Sequence, residues 1–332
     1  MSGVEEGIMS VEVTLPPGGS DSGAAADVRA GLTKPFKEIS PRYFYDDRGS
    51  RLFEEITELP EYYPTRCERQ ILVDRSAEIA AASRASTLIE LGSGSAVKSR
   101  VLLDAMRDAG NLHAYCPVDI SEEITRETAE KISGEYEGIE VRGLVCDFEH
   151  DLERIPVGGP RLIALLGGTI GNLPPQQRSG FLRRVSNLLD REDRFLLGVD
   201  LIKDPATLIA AYDDAKGITA EFNRNSLRVL NERFDGDFDP DAFEHVALWD
   251  PENLWVEMRL RSLCDQQVRL VALDLDLAFS EGEEMRTEIS TKFAREGLES
   301  IFAEAELQMT DWFESDGGEY ALALARSTRT QR

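Results

Sequence analysis

TLIELGSGS (87–95) decides the fold. Thr87 to Leu91 form an apolar run too short for a helix, followed at once by Gly92 and Gly94, which is how a buried strand ends in a tight turn. Next, SRVLLDAMRDAG (99–110) carries apolar residues at helical spacing and is stopped by Gly110. The alternation then repeats. AYCPVDI is a strand ending at Asp119, residues 122–136 are helical, and IEVRGLVCDF is a third strand ending at Asp147. RLIALLGGTIGN is a fourth strand, RSGFLRRVSNLLD an amphipathic helix and RFLLGVDLI a fifth strand. Upstream, CERQILVDRSAEIAAA has helical spacing from residue 67 on. Strands and helices in strict alternation predict an α/β fold, a parallel sheet with helices on both faces.

After Leu201 the rhythm breaks. Two further strands, LWVEMRLRS and VRLVALDLDLAF, precede a helix around LESIFAEAEL and a last strand, YALALAR (320–326). A core interrupted late and then completed predicts an inserted second domain. The expected division is a core over 68–200 and 293–327 and a second, discontinuous α+β domain over 26–67 and 201–292. Residues 1–25 contain PPGGSDSGAAA and are expected to be a mobile leader.

The formal net charge of −25 repels polyphosphate, so nucleic acid and anionic membrane surfaces are not expected partners. No apolar run reaches the roughly 20 residues of a membrane helix. With no basic segment and apolar core at the N-terminus, a cytoplasmic protein is expected. Cys67, Cys116, Cys146 and Cys264 are scattered, and His113, His150 and His245 lack metal-ligand spacing, so no metal site is expected. DGDFDPDAFE (235–244) resembles a calcium loop only in its acidity, because its sixth position is Pro240 or Ala242 and not Gly. It is read as an acidic turn capping a helix.

The strand ends carry the ligand chemistry. Gly92 and Gly94 allow a close approach of backbone to ligand, and Asp119, at the next strand end, suits a ribose diol. Asp147 suits an adenine amino group, with Phe148 to cover the ring. The third glycine of a dinucleotide fingerprint is replaced by Val97, which disfavours a pyrophosphate and a nicotinamide dehydrogenase. S-adenosylmethionine has no phosphate and fits, and Glu90 suits its cationic amino-acid end.

Five segments extend this reading: FYDDRGSRLFEEIT (44–57), LPEYYPTR (59–66), ELGSGSAVKSR (90–100), GGTIGNLPP (167–175) and TEISTKF (287–293). Over about residues 28–326 the chain resembles the histidine-specific Nα-methyltransferases of ergothioneine biosynthesis. The resemblance implies a Rossmann-like class I methyltransferase core, a second domain that binds the amino acid, and three successive methyl transfers giving hercynine. It places Tyr45, Gly92, Lys98, Asp119, Asp147 and Phe148 at the cofactor. It places Asn172 and Tyr212 on the carboxylate and amino group, with the backbone near Gly167. Tyr62, Glu288 and Ser290 are to meet the imidazole, Met258 to lie beside the ring, and Phe53 near the amino group. Tyr45, Asn172 and Tyr212 are the implied catalytic set, Tyr45 as a proton relay.

The chemistry is consistent with these residue types. A buried carboxylate needs donors, and an imidazole N–H needs an acceptor such as Glu288. Aromatic faces at Phe53, Tyr45 and Tyr62 tolerate a methylated ammonium. Taken without the resemblance, Tyr62 before Pro64 is turn packing, Tyr212 in LIAAYDDA is a core aromatic, and Met258 is an inward strand residue. Two alternatives stand beside the main expectation: the same chemistry on another amino acid such as tryptophan, and a non-catalytic S-adenosylmethionine-binding protein. The expected partner is free histidine, bound by a monomer.

Overall fold

In the computed structural model, which describes residues 9–14 and 21–329, the chain runs β1 (Met9–Val13), α1 (Asp21–Leu32), α2 (Asp47–Thr57), α3 (Tyr63–Ser83), β2 (Thr87–Leu91), α4 (Ser99–Asp108), β3 (Ala114–Asp119) and α5 (Glu122–Glu135). It continues β4 (Glu140–Val145), β5 (Arg161–Leu165), α6 (Pro175–Leu188), β6 (Arg194–Asp200), α7 (Pro205–Ala210), α8 (Ile218–Phe234), β7 (Phe243–Asp250) and β8 (Trp255–Ser262). It ends β9 (Gln266–Leu270), β10 (Leu275–Phe279), β11 (Glu284–Thr291), α9 (Arg295–Glu304), β12 (Leu307–Glu314) and β13 (Tyr320–Ser327). These elements form two compact units. One holds residues 9–14, 67–201 and 293–329, the other 21–66 and 202–292.

The first unit is built on a sheet of order β1-β4-β3-β2-β5-β6-β13-β12. The six strands from β1 to β6 are parallel, and β13 and β12 are antiparallel additions. Alternation sorts the strand residues to the two faces. Leu88, Tyr115, Leu162, Leu196 and Leu322 share one buried cluster, and Ile89, Cys116, Ile163, Leu197 and Ala323 share the other. Each fully buried Leu or Ile contributes about 1.5–3 kcal/mol, so both faces must be covered. Helices cover them, and their ends follow local rules. Ser121 caps α5 by accepting from the Ile124 amide, and Pro175 occupies the first turn of α6. The order reverses at β2, which lies between β3 and β5, so the carboxyl end of β2 is the topological switch point where open α/β sheets bind ligands.

The second unit holds a three-stranded antiparallel sheet, β11-β8-β7, a β9–β10 hairpin, and α1, α2, α7 and α8. Val28, Tyr43, Leu227, Leu230, Leu260 and Met285 belong to its buried core. Asp204 caps α7 by accepting from the amides of Ala206 and Thr207, with Pro205 at the first position.

Several expectations are corrected here. The supposed leader is ordered at 9–13 and from 21 on, while its remaining residues, 1–8 and 15–20, lie outside the described residues. MSVEV alternates apolar and polar side chains and pairs in parallel with Glu140–Val145 as β1. That alternation lies beside the Gly- and Pro-rich stretch that suggested a leader. VRLVALDLDLAF is two strands, because Asp274 takes a left-handed conformation (φ +45°) and turns the chain back. The acidic stretch at 235–244 does cap a helix, as expected, but only the single 3-10 turn Pro240–Ala242. Asp235 (φ +49°) ends α8, and Asp239 accepts from the Asp241 amide in a single turn that leads into β7. The strands expected to end at Asp147 and Asn172 stop at Val145 and Leu165, and β7 and β12 were not anticipated.

Candidate active site

In the first unit the site begins where β2 ends. Gly92 (φ +70°), Gly94 (φ +48°) and Ala96 (φ +53°) are all left-handed, so the turn coils tightly. The amides of Gly92 and Ser93 both donate to the Val118 carbonyl, at 2.8 and 3.1 Å, which ties the turn to the end of β3. Asp119 completes the clasp by accepting from the Gly94 amide at 3.0 Å and the Ser121 amide at 3.0 Å. Burial raises the Asp119 carboxyl above its ordinary range, and these backbone donors pull it back. Phe148 stands over the turn: a Cβ added at Gly92 would lie 3.6 Å from its ring. Asp147 accepts from the Glu149 amide and meets His150 Nδ1 at 3.0 Å. Gly92, Asp119 and Phe148 are therefore brought together, with Asp147 next in the chain. A diol acceptor, a flat ring, open space over Gly94 and a buried Ser93 hydroxyl without a protein partner among the described residues fit an adenosine-bearing ligand. Asp119→Ala removes both the acceptor and the clasp. Calorimetric titration of the variant is expected to give S-adenosylmethionine binding weaker by on the order of tenfold to a hundredfold.

Lys98 and Gly167 meet through a residue that sequence reasoning passed over. Glu68, on α3, is fully buried and ion-pairs with Lys98. It also accepts from the Gly167 amide at 2.8 and 3.0 Å and from the Tyr320 hydroxyl at 2.8 Å. Its side chain crosses β6, where a Cβ on Gly198 would stand 2.2 Å from its Oε1. The available signal was an acid on the helical stripe of Ile71 and Leu72, both buried. Because the Gly167 amide is spent on Glu68, it is not a spare donor for an amino-acid ligand. Asn172 ends a one-turn helix over Thr169–Asn172 and is half-buried. Glu90, expected to face the cofactor, instead lies inside the fold and accepts from Ser99 and from Tyr115 at 2.7 Å. Burial pushes its carboxyl up to about 7 against those two donors.

In the second unit, β11 carries Glu288 directly opposite Met258 of β8, just past a bulge at Arg286, and Ser290 opposite Val256. Burial pushes the Glu288 carboxyl up to about 7, with Lys292 drawing it back. The Ser290 hydroxyl accepts from Tyr212 at 2.7 Å and from Lys292 at 2.8 Å, and Lys292 also donates to the Tyr212 hydroxyl at 2.9 Å. Tyr62 lies edge-on to Tyr212 (6.4 Å between ring centroids), Phe53 to Tyr62 (6.1 Å) and Tyr45 to Phe53 (5.8 Å). Phe222, unanticipated, packs on both Phe53 and Tyr45. Tyr45, Phe53, Tyr62 and Tyr212 thus form one aromatic file leading to Ser290.

His245 was also missed. Its Nδ1 accepts from the Asn223 amide nitrogen at 2.8 Å, so its Nε2 carries the proton and donates to the Tyr212 carbonyl at 2.8 Å. Burial lowers its pKa and so favours the neutral ring. It fixes the backbone of Tyr212. No sequence spacing links residues 212, 223 and 245, so only the fold reveals the trio.

A parallel sheet with a glycine turn at its switch point, an acid closing that turn from the next strand end and an aromatic over it make this a class I S-adenosylmethionine-dependent methyltransferase. Residues 24–327 match the family model described as histidine-specific methyltransferase, SAM-dependent, and the chain belongs to that family. It is 51% identical over 309 residues to the histidine N-alpha-methyltransferase of Mycolicibacterium smegmatis, covering 92% of this chain and 96% of that one. It is 48% identical over 310 residues to the enzyme of the same name from Mycobacterium tuberculosis, covering 92% and 97%. It is 30% identical to ergothioneine biosynthesis protein 1 of Neurospora crassa, covering 88% of this chain and 33% of that longer protein. Among the described residues no helix is long and apolar enough to cross a membrane.

Proposed function

We propose that this chain methylates the α-amino group of L-histidine three times in succession, giving hercynine, as a step of ergothioneine biosynthesis. The observation that carries this reading is the β11 face, where a poised carboxylate (Glu288) and a hydroxyl wired to Tyr212 and Lys292 (Ser290) lie on one strand beside Met258. A polar ring satisfies such a face, whereas an apolar side chain leaves its buried groups unpaired, a penalty of roughly 10⁴–10⁵ in rate where a site is built this way. The indole of tryptophan has an N–H but no ring acceptor and so pairs with at most one of the two groups, which argues against it. The relatives named for histidine methylation support the same substrate.

S-adenosylmethionine supplies an electrophilic methyl group. In the first unit, Asp119 would hold the ribose diol, Asp147 and Phe148 the adenine, and Gly92 and Lys98 the amino-acid end, with Tyr45 of the second unit also assigned to the cofactor. Asn172 and Tyr212 would orient the carboxylate and amino group of histidine, and Glu288 and Ser290 the ring. Much of the acceleration then comes from holding a neutral amine in line. An α-amino group ionises near pH 8 unperturbed, about 7.7–8.0, so water suffices to take the proton, with Tyr45 as a relay. The faces of Phe53, Tyr62 and Tyr45 accommodate the growing cation. The enzyme is read as a cytoplasmic monomer that acts on the free amino acid.

The test is incubation of the purified protein with S-adenosylmethionine and the twenty amino acids, read by mass. The expected result is a single product, histidine heavier by three methyl groups. Methylation of another amino acid would overturn the pocket assignment, and cofactor binding without any product would favour a non-catalytic role.

A further inference from the structure

We infer that Thr14, at the end of the N-terminal strand, is a positioning residue for the adenine end of the cofactor. The inference rests on the reading of Asp147 as the acceptor for the adenine amino group. Residues 9–14 precede the stretch that matches the family model, which starts at residue 24, yet they are built into the sheet. β1 pairs in register with β4, from Met9 opposite Val141 to Val13 opposite Val145. Gly143 lets the two strands close up. A Cβ there would stand 3.1 Å from Val11 Cγ2 and 2.9 Å from Thr125 Cγ2.

The strand ends on the peptide that leads to Asp147. The Val145 carbonyl accepts from the Thr14 amide and from the Thr14 hydroxyl, each at 3.0 Å. On the opposite side of the same peptide, the Cys146 amide donates to the Asp119 carbonyl at 3.0 Å. A peptide group is planar, so holding its C=O from one side and its N–H from the other sets the plane from which Cys146, Asp147 and Phe148 depart. Beyond it the chain folds back on itself. The amides of His150 and Asp151 donate to the Asp147 carbonyl at 2.9 and 2.8 Å, and the Glu149 amide donates to the Asp147 carboxylate at 3.0 Å. The turn at 147–151 is therefore carried by the Val145–Cys146 peptide. One anchor of that peptide is Asp119, assigned to the ribose. The other is Thr14, which acts on the adenine through the placement of Asp147.

The experiment titrates the full-length protein calorimetrically with S-adenosylhomocysteine and with its analogue in which hydrogen replaces the adenine amino group. The two ligands share the ribose, the amino-acid end and the purine face, so general damage to the fold cancels in the ratio of their affinities. The wild-type protein is expected to prefer S-adenosylhomocysteine by on the order of tenfold to a hundredfold, as for a hydrogen bond to a charged acceptor. Thr14→Pro offers neither an amide N–H nor a hydroxyl and should lower that preference by about threefold to tenfold. Thr14→Val keeps the amide and should lower it by about twofold to threefold. The valine variant decides the matter if the proline variant fails to fold. Thr14→Ser keeps both donors and is expected to retain the wild-type ratio, and a fall there as large as in Thr14→Pro overturns the inference. An undiminished ratio in the deciding variant also overturns it, and a lowered unfolding midpoint beside that ratio would show that Thr14 only fastens the strand. Equal binding of the two ligands by the wild type overturns the reading of Asp147 and this inference together. A wild-type preference that survives in the variants overturns the role of Thr14 alone.

Discussion

Glu288→Gln is expected to make the ligand-free protein more stable above pH 7 and, at the same time, to cut kcat/KM for histidine by on the order of tenfold to a hundredfold. The two effects have one cause. The Glu288 carboxyl is raised from 4.5 to about 7 because burial penalises its charge more than Lys292 rewards it. A folded-state value above the unfolded one means that the fold favours the protonated acid. Its stability is intact below the unfolded value of 4.5 and is lost as pH climbs to about 7, beyond which the full cost persists. At about 1.36 kcal/mol per pH unit, and trimmed for the partial solvent access of the side chain, the cost is on the order of 2–3 kcal/mol. The amide carries no charge and escapes it. Thermal unfolding of variant and wild type should therefore converge near pH 4.5 and separate by several degrees at pH 8. Equal midpoints at both pH values would show that the carboxylate is not desolvated, and unaltered histidine kinetics would remove Glu288 from the ring-binding face.

The second large effect is expected at Glu68. This one carboxylate satisfies Lys98, the Gly167 amide and the Tyr320 hydroxyl inside the first unit. Glu68→Ala leaves all three without it and opens a void over Gly198, so the loss of stability should be on the order of 3–5 kcal/mol. Glu68→Gln keeps the shape and a weaker set of bonds. It should fold, with a lowered midpoint and S-adenosylmethionine affinity reduced by roughly tenfold, because Lys98 and the Gly167 turn are held in place less firmly. Calorimetric titration together with thermal unfolding separates the two contributions. A Glu68→Ala protein with wild-type stability would mean that the hub is dispensable.

The first unit was legible because its parts are local. TLIELGSGS, AYCPVDI and RFLLGVDLI each hold a strand and its end within a few residues, and the carboxyl ends of consecutive parallel strands must lie side by side. Hence the clustering of Gly92, Asp119 and Phe148 at the strand ends was legible without a structure. What stayed hidden depends on distance along the chain. The partners of Glu68 lie at positions 98, 167 and 320, and those of Tyr212 at 245, 290 and 292, and no periodicity connects such numbers. Glu90 misled because a strand residue next to the ligand turn can face either side of the sheet, and it shares the face of Tyr115 within the fold. The strand at 9–13 was masked by its neighbours' composition, and β12 by the bulge between Met309 and Asp311, which breaks its alternation.

The place of β13 has a consequence for how the protein is made. This strand lies between β6 and β12, yet it comes from residues 320–327, far along the chain from β6 at 194–200. A ribosome adds about 5–20 residues per second, so β6 waits for several seconds with a bare hydrogen-bonding edge. Such an edge invites pairing with the same strand of a neighbouring nascent chain. Slow elongation over the intervening segment, or a release of the chain before Tyr320, should therefore show itself as aggregation during synthesis.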